Sequence, residues 1–342
     1  MRNVIRTVVV IALAVGLLAV FLRNADLSQV WASVTKARTD FLLLSLALTC
    51  GTFVVRAERW QYLLGPLGKT RFSTVFRATV IGFAASAVLP ARAGEVIRPY
   101  LLARREGLSA TAAFATIIVE RILDLVAVLL LMAVFLIWFD PGIEARDSKA
   151  FEAVRFGGLM MAPVAVGMLA VMFFVAGHPE RLHAWVLKAE AILPARIAAM
   201  IARFAQTFAE GFAVVRSPGR LAAAIAWSMV LWVAIASGIW AVSIAFGIAM
   251  PFTGAWLMLG PLVVGVAVPT PGGVGGFHEA YRFGATAFFG ANNDTAVGAA
   301  IVLHAISIGP VILVGLLFIV QDGLKLGGMA RGDLGMQQGA TK

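Results

Sequence analysis

Residues 78–105 read ATVIGFAASAVLPARAGEVIRPYLLARR. An apolar arm runs without a charge to Leu89, then meets Pro90, Gly94 and Pro99, with Arg92, Glu95 and Arg98 among them. Proline lacks an amide proton and clashes with the preceding turn, so a helix breaks there. Residues 253–290 repeat the pattern: an apolar arm reaches PTPGGVGG, Pro269 to Gly276, and Glu279 and Arg282 follow. Each arm is too short to cross a bilayer comfortably, which takes roughly 20 apolar residues. Irregular backbone at membrane depth is tolerated only inside protein or along a wet cavity. Residues 74–103 and 253–290 are therefore expected to form two re-entrant helical hairpins.

Composition makes the bilayer the relevant solvent. The chain has 342 residues, 61% hydrophobic and 13% charged, against about 25% charged in a soluble domain. Phe156–Gly177 and Leu221–Phe277 hold no charge, and Thr295–Val320 is interrupted only by His304. Spanning helices are expected near 5–23, 40–63, 110–139, 155–177, 220–247 and 295–320. The N-terminal apolar run lacks a small-x-small cleavage pattern and reads as an uncleaved first helix. The single cysteine, Cys50, excludes an intrachain disulfide. The net charge of +10 is assigned to basic cytoplasmic loops, where anionic phospholipids are the expected partners, rather than to nucleic acid.

The fold class that follows is an all-α polytopic membrane protein with six spanning helices plus two re-entrant helical hairpins. With a cytoplasmic N-terminus, Arg56, Arg59, Lys69, Arg71, Arg77, Arg104 and Arg105 fall in cytoplasmic segments. The outer side collects only Arg23, Lys36, Arg38, Arg146, Lys149 and Arg155, the bias that the positive-inside rule requires. Both termini are then cytoplasmic, in a cytoplasmic (inner) membrane. The order span, span, hairpin, span occurs twice with opposite orientation. We expect an inverted repeat, residues 1–139 and 155–320 within one membrane domain. Glu95-x-x-Arg98 and Glu279-x-x-Arg282 follow the two breaks, and Glu95 precedes Glu120 by the same interval as Glu279 precedes His304. Interrupted helices at corresponding places in inverted halves point to a transporter's binding site. Residues 178–216 read as an interfacial amphipathic segment, and 323–342 as a flexible tail.

Away from the segment ends assigned to the loops, eight charged residues are expected within the membrane: Arg92, Glu95, Arg98, Glu120, Arg121, Asp124, Glu279 and Arg282. Each costs about 2.5 kcal/mol or more at the centre of an isolated helix, so such residues usually face a cavity. Four are basic and four acidic, so the empty cavity is expected to be neutral. Glu95 with Arg98 and Glu279 with Arg282 are spaced to pair at i,i+3. Glu120 and Asp124 share a helix face at i,i+4 and repel; they either hold a proton or are bridged by Arg121. Glu95, Glu120, Asp124, Glu279 and His304 are the candidate proton-coupling groups. A helix starting near Gly94 directs amide donors into the cavity, and Gly272 and Gly273 permit close approach from the other hairpin. With Arg92, Arg98, Arg121 and Arg282 they suit a phosphate. HEAYR at 278–282 lacks the second histidine of a zinc protease. The four histidines show no metal-ligand spacing, and no nucleotide loop is present; neither metal nor cofactor is expected.

These residues resemble a known family. LPARAGEVIRPYLL (89–102), TIIVERILDLVAVLLL (116–131) and VPTPGGVGGFHEAY (268–281) look like the three signature regions of the lysylphosphatidylglycerol synthase transmembrane-region family, flippase-like membrane proteins. The resemblance covers roughly Phe41 to Val320. Pro90, Arg92, Gly94, Glu95, Glu120, Arg121, Asp124, Pro271, Gly272, Gly273, Gly275 and Glu279 fall on its pattern. It implies lipid translocation across the cytoplasmic membrane. Only residues 321–342 follow the last expected helix, so no soluble synthase domain is expected.

The function expected is therefore transport of an anionic, phosphate-bearing lipid, a phospholipid or polyprenyl phosphate, with possible proton coupling and no chemical change. Two alternatives stand beside it. One is a scaffold or regulatory subunit of an envelope pathway. The other is an intramembrane lipid-modifying enzyme using Ser86 or Thr270, for which no His–Asp partner is suitably spaced.

Overall fold

A computed structural model describes residues 2–89, 92–138, 148–178, 204–268 and 270–324. Pro90, Pro269, most of the amphipathic segment (179–203) and the tail from 325 lie outside the described residues. Every regular element among them is helical. In chain order the main helices are α1 (Arg2–Leu22), α2 (Leu27–Lys36), α3 (Thr39–Leu64), α4 (Phe72–Val88), α5 (Gly94–Glu106), α6 (Ala110–Trp138), α7 (Ser148–Gly177), α8 (Pro218–Ala245), α9 (Gly254–Ala267), α10 (Gly276–Phe289) and α11 (Asn293–Gln321).

Helices α3, α6, α8 and α11, and residues Phe151–Val175 of α7, are long and apolar enough to cross a bilayer. The N-terminal pair qualifies only as one bent unit: Ala12–Leu22 and Leu27–Lys36 meet at 83°. Helix α2 departs from the sequence expectation. Asp26 starts it, its side chain accepting from the Ser28 and Gln29 amides at 2.8 and 3.4 Å, a capping interaction that satisfies otherwise orphaned donors. Helix α3 packs along α8, where the Ser45 hydroxyl donates to the Gly238 carbonyl at 3.1 Å.

Helices α4 and α5 form one hairpin, and α9 and α10 another. Leu89 leaves α4 in an extended conformation, as a residue before proline prefers. The open end of the first hairpin is closed by Arg71 and Glu106, 3.5 Å apart. In the second, a Cβ on Gly254 would lie 2.8 Å from the Phe289 ring, so the start of α9 adjoins the end of α10. Near each tip the arms touch through glycines. A Cβ on Gly82 would lie 2.6 Å from the Arg98 Cβ, and one on Gly265 would lie 2.7 Å from that of Ala280. Within a membrane, where lipid is as apolar as leucine, such close backbone packing is a main source of helix association.

The two hairpins approach from opposite ends of α11. At its C-terminal end Asp322 takes Arg77 at 2.9 Å and Arg105 at 2.6 Å, both from the base of the first hairpin. At its N-terminal end Asn293 accepts from Arg282 of the second hairpin at 3.0 Å. Helix α11 has 29 residues, roughly 43 Å at 1.5 Å per residue. The tips meet near its middle. His304 donates its Nε2 proton to the Gly272 carbonyl at 2.8 Å, and Arg92 donates to the Val266 carbonyl of the opposite hairpin. Two apolar clusters flank this junction. One centres on Tyr281, Phe288 and Leu257, the other on Trp60, Ile81 and Leu102. Of the amphipathic segment, 204–210 is helical; Ala209 and Phe212 are buried while Phe204 stays exposed.

Candidate functional site

Between the hairpin tips lies a chamber of about 290 Å³. Arg92, Gly94, Glu95 and Arg98 of the first hairpin line it, with Arg121 of α6. Gly272 and Gly273 line it from the second hairpin, and His304 and Ser307 from α11. Both glycines have positive φ, 61° and 75°, which lets the loop turn where a side chain would be strained. A Cβ on Gly272 would reach within 3.4 Å of the Ala87 carbonyl oxygen. The small residue thus keeps the two tips together. Arg92 also has a positive φ, 51°. A non-glycine residue rarely adopts it, and such strain tends to collect at functional sites.

Beneath the chamber is a buried ionic network. Glu120 is fully buried, and its Oε1 lies 3.0 Å from Arg59, 3.1 Å from Arg98 and 3.1 Å from Arg121. Asp124, one turn further along α6, receives Arg59 at 2.5 Å and the Trp232 indole N–H at 2.9 Å on Oδ1. Its Oδ2 lies 3.3 Å from Arg121. Arg59 also donates to Ser228 at 2.9 Å. Of the two readings of the Glu120–Asp124 pair, the geometry is the bridged one. The bridge is not Arg121 alone: Arg59, assigned by charge bias to a cytoplasmic segment, is fully buried between the two carboxylates.

Arg56, expected with Arg59 in a cytoplasmic segment, is likewise placed inside the protein. It lies one turn before Arg59 on α3, lines the chamber and sits over Phe83, its Cζ 4.7 Å from the ring centre. It forms no ion pair among the described residues. An arginine near a helix end reads as a loop charge under the positive-inside rule. The i,i+3 spacing of Arg56 and Arg59, which puts both on one face, was the available signal.

Arg98 stacks over Trp60, Cζ 3.9 Å from the ring centre. It is 3% exposed, and its Nε and Nη2 have no hydrogen-bond partner among the described residues. Its expected pairing with Glu95 is replaced by Glu120, and Glu95 faces Arg92 at 3.9 Å.

The second hairpin does not deliver its charges to the chamber. Arg282 pairs with Glu279 at 2.5 Å, as its spacing suggested, but the pair faces Asn293 at the base of α11. Phe277 lines the chamber, and Glu279 lies 200° further around α10, at about 100° per residue. The expectation that Arg282 and Glu279 join Arg92 and Arg98 around one ligand is corrected. So is the expected charge balance. With Arg56 and Arg59 added and the Glu279–Arg282 pair removed, five guanidiniums (Arg56, Arg59, Arg92, Arg98, Arg121) face three carboxylates (Glu95, Glu120, Asp124). Two positive charges remain without a counter-ion among the described residues.

The UPF0104 membrane protein MJ1595 of Methanocaldococcus jannaschii is 28% identical over 103 residues, a match covering 29% of this chain and 30% of that protein. The match thus spans under a third of that relative's own length. A profile of the lysylphosphatidylglycerol synthase TM region matches residues 6–315, which takes in both hairpins, the Arg59–Glu120–Asp124 network and the chamber, and the chain belongs to that family.

Proposed function

We propose that the protein moves an anionic, phosphate-bearing lipid across the cytoplasmic membrane, releasing it chemically unchanged. One observation carries this reading: two helical hairpins enter from opposite ends of α11 and their tips touch across an arginine-lined chamber. A barrier made of two tips opens to either side by displacement of one hairpin, and broken helices at a shared site suit alternating access. The opposed hairpins, each with glycine contacts near its tip, support an inverted repeat in which both termini are cytoplasmic. Basic residues at the base of the first hairpin would face anionic phospholipids there.

The fixed network of Glu120 and Asp124 positions Arg98 and Arg121 for the ligand. Glu95 is the carboxylate lining the chamber, so it is the group best placed to exchange a proton as the site changes sides. Covalent chemistry has less support. Ser86 and Thr270 line the chamber, but the Thr270 hydroxyl donates to the Val274 carbonyl at 2.8 Å and His304 faces Gly272.

The test is leaflet transfer of labelled phosphatidic acid and phosphatidylglycerol, each in its own proteoliposomes, followed by chromatography of the recovered lipid. Wild-type protein should transfer lipid unaltered. Arg56→Gln and Glu95→Gln should abolish transfer, while the exposed Asp40→Asn should not. A modified head group would favour the enzyme reading, and transfer equal in all variants would remove the chamber from the path.

A further inference from the structure

The chamber does not end at the arginines. A second cavity of about 390 Å³ adjoins it, sharing Arg56, Arg92 and Arg121 as a common wall. Beyond them, apart from Thr49, Asp124 and Ser307, the lining turns apolar, with Leu125, Val128, Trp232, Ile235, Leu259 and Val263 from α6, α8 and α9. Trp232 is held in place by its hydrogen bond to Asp124, so the apolar wall is tied to the network that sets the arginines. A charged room opening into an oily one matches the boundary between a lipid head and its chain.

The charge count narrows the head. Among the described residues Arg56 has no carboxylate partner, and the three guanidiniums of Arg59, Arg98 and Arg121 share two carboxylates. The surplus is therefore two. A phosphodiester such as phosphatidylglycerol carries one negative charge, which leaves one guanidinium charge of the chamber and its network unmatched. A phosphate monoester carries about −1.5 to −2 near neutrality and three acceptor oxygens, and arginine forks bind such oxygens in pairs. The unpartnered Nε and Nη2 of Arg98, nine-tenths buried or more, supply donors at that place.

We propose that the ligand is a lipid ending in a phosphate monoester, with its phosphate against Arg56, Arg98 and Arg121 and the adjoining chain in the apolar cavity beside Trp232. This rests on the lipid-transport reading and deepens it.

Full-length protein in detergent, titrated with lipids of one chain composition and followed by native mass spectrometry, tests it. Dioleoyl phosphatidic acid should bind about tenfold or more tightly than dioleoyl phosphatidylglycerol, with phosphatidylcholine weaker still. Arg56→Gln should erase that preference and Arg56→Lys should keep most of it. Glycerol 3-phosphate, which has the head without the chain, should bind far more weakly than phosphatidic acid. Val263→Trp, which fills the apolar cavity, should weaken phosphatidic acid and leave glycerol 3-phosphate unchanged. Equal binding of the monoester and diester lipids would overturn the head assignment. Glycerol 3-phosphate binding as tightly as the lipid, or indifference to Val263→Trp, would overturn the chain assignment. Selective binding without leaflet transfer would refute transport and spare this inference; transfer without selectivity would do the reverse.

Discussion

Arg59 and Asp124 meet at 2.5 Å inside the protein, the arginine side chain fully buried and the aspartate nearly so. Removing one partner of such a pair strands the other charge and costs about 3 to 5 kcal/mol. Arg59→Ala and Asp124→Ala should each lower the thermal unfolding midpoint markedly in detergent. The double variant should lose much less than the two losses combined. Simple additivity would show that the pair is not coupled.

Arg92 separates strain from chemistry. Its φ of 51° is costly for a side chain and free for glycine, a difference of order 1 kcal/mol. Arg92→Gly should therefore keep or slightly raise stability while reducing lipid transfer. Arg92→Ala should reduce transfer and gain no stability. A stability loss in the glycine variant would mean that the bond to Val266 outweighs the backbone strain.

Close glycine contacts set the spacing of both hairpins. A Cβ on Gly94 would lie 2.5 Å from the Ser86 hydroxyl, and a Cβ on Gly82 or Gly265 collides with the opposite arm. Gly82→Ala, Gly94→Ala and Gly265→Ala should each cost about 1 to 3 kcal/mol through overpacking. Gly167, on α7 with nothing within 4 Å of a Cβ, is the control: Gly167→Ala should be neutral or stabilising by up to about 1 kcal/mol. Equal effects at all four sites would deny the close approach.

Topology is open to thiol labelling in a Cys50→Ser background. Cysteines at Lys69 and Glu106, at the two ends of the first hairpin, should react from the same side of the membrane. Cysteines at Phe252 and Asn292, flanking the second, should react from the opposite side. Labelling of all four from one side would contradict the opposed arrangement.

Much of the fold was legible because apolar length is a direct physical signal. Charge-free runs located α8 and α11, and the breakers around Gly94 and Gly272 located both hairpin tips. Helix α2 was missed because its polarity resembles a loop; Asp26 followed two positions later by Ser28 was the cue to a capped helix. The site was less legible. Arg92, Glu95, Arg98, Arg121 and His304 do line one chamber. Arg56 and Arg59 escaped because an arginine near a helix end has the same local signature whether it faces water or a buried acid. Glu279 and Arg282 were misjudged because distance from a break does not give the rotation of the helix that follows it.

The ion pairs of Asp322 and the bond between Arg282 and Asn293 make α11 a strut joining the bases of the two hairpins. That strut has a weak joint. Pro310 lies inside it, beside Gly309, which has nothing within 4 Å of a Cβ, and proline removes a helical hydrogen bond where it sits. Ser307 and Ile308, just before the joint, line the chamber. A flexure there would tip one anchored base against the other, so the movement that uncovers the cavity and the shape of its wall would change in a single stroke.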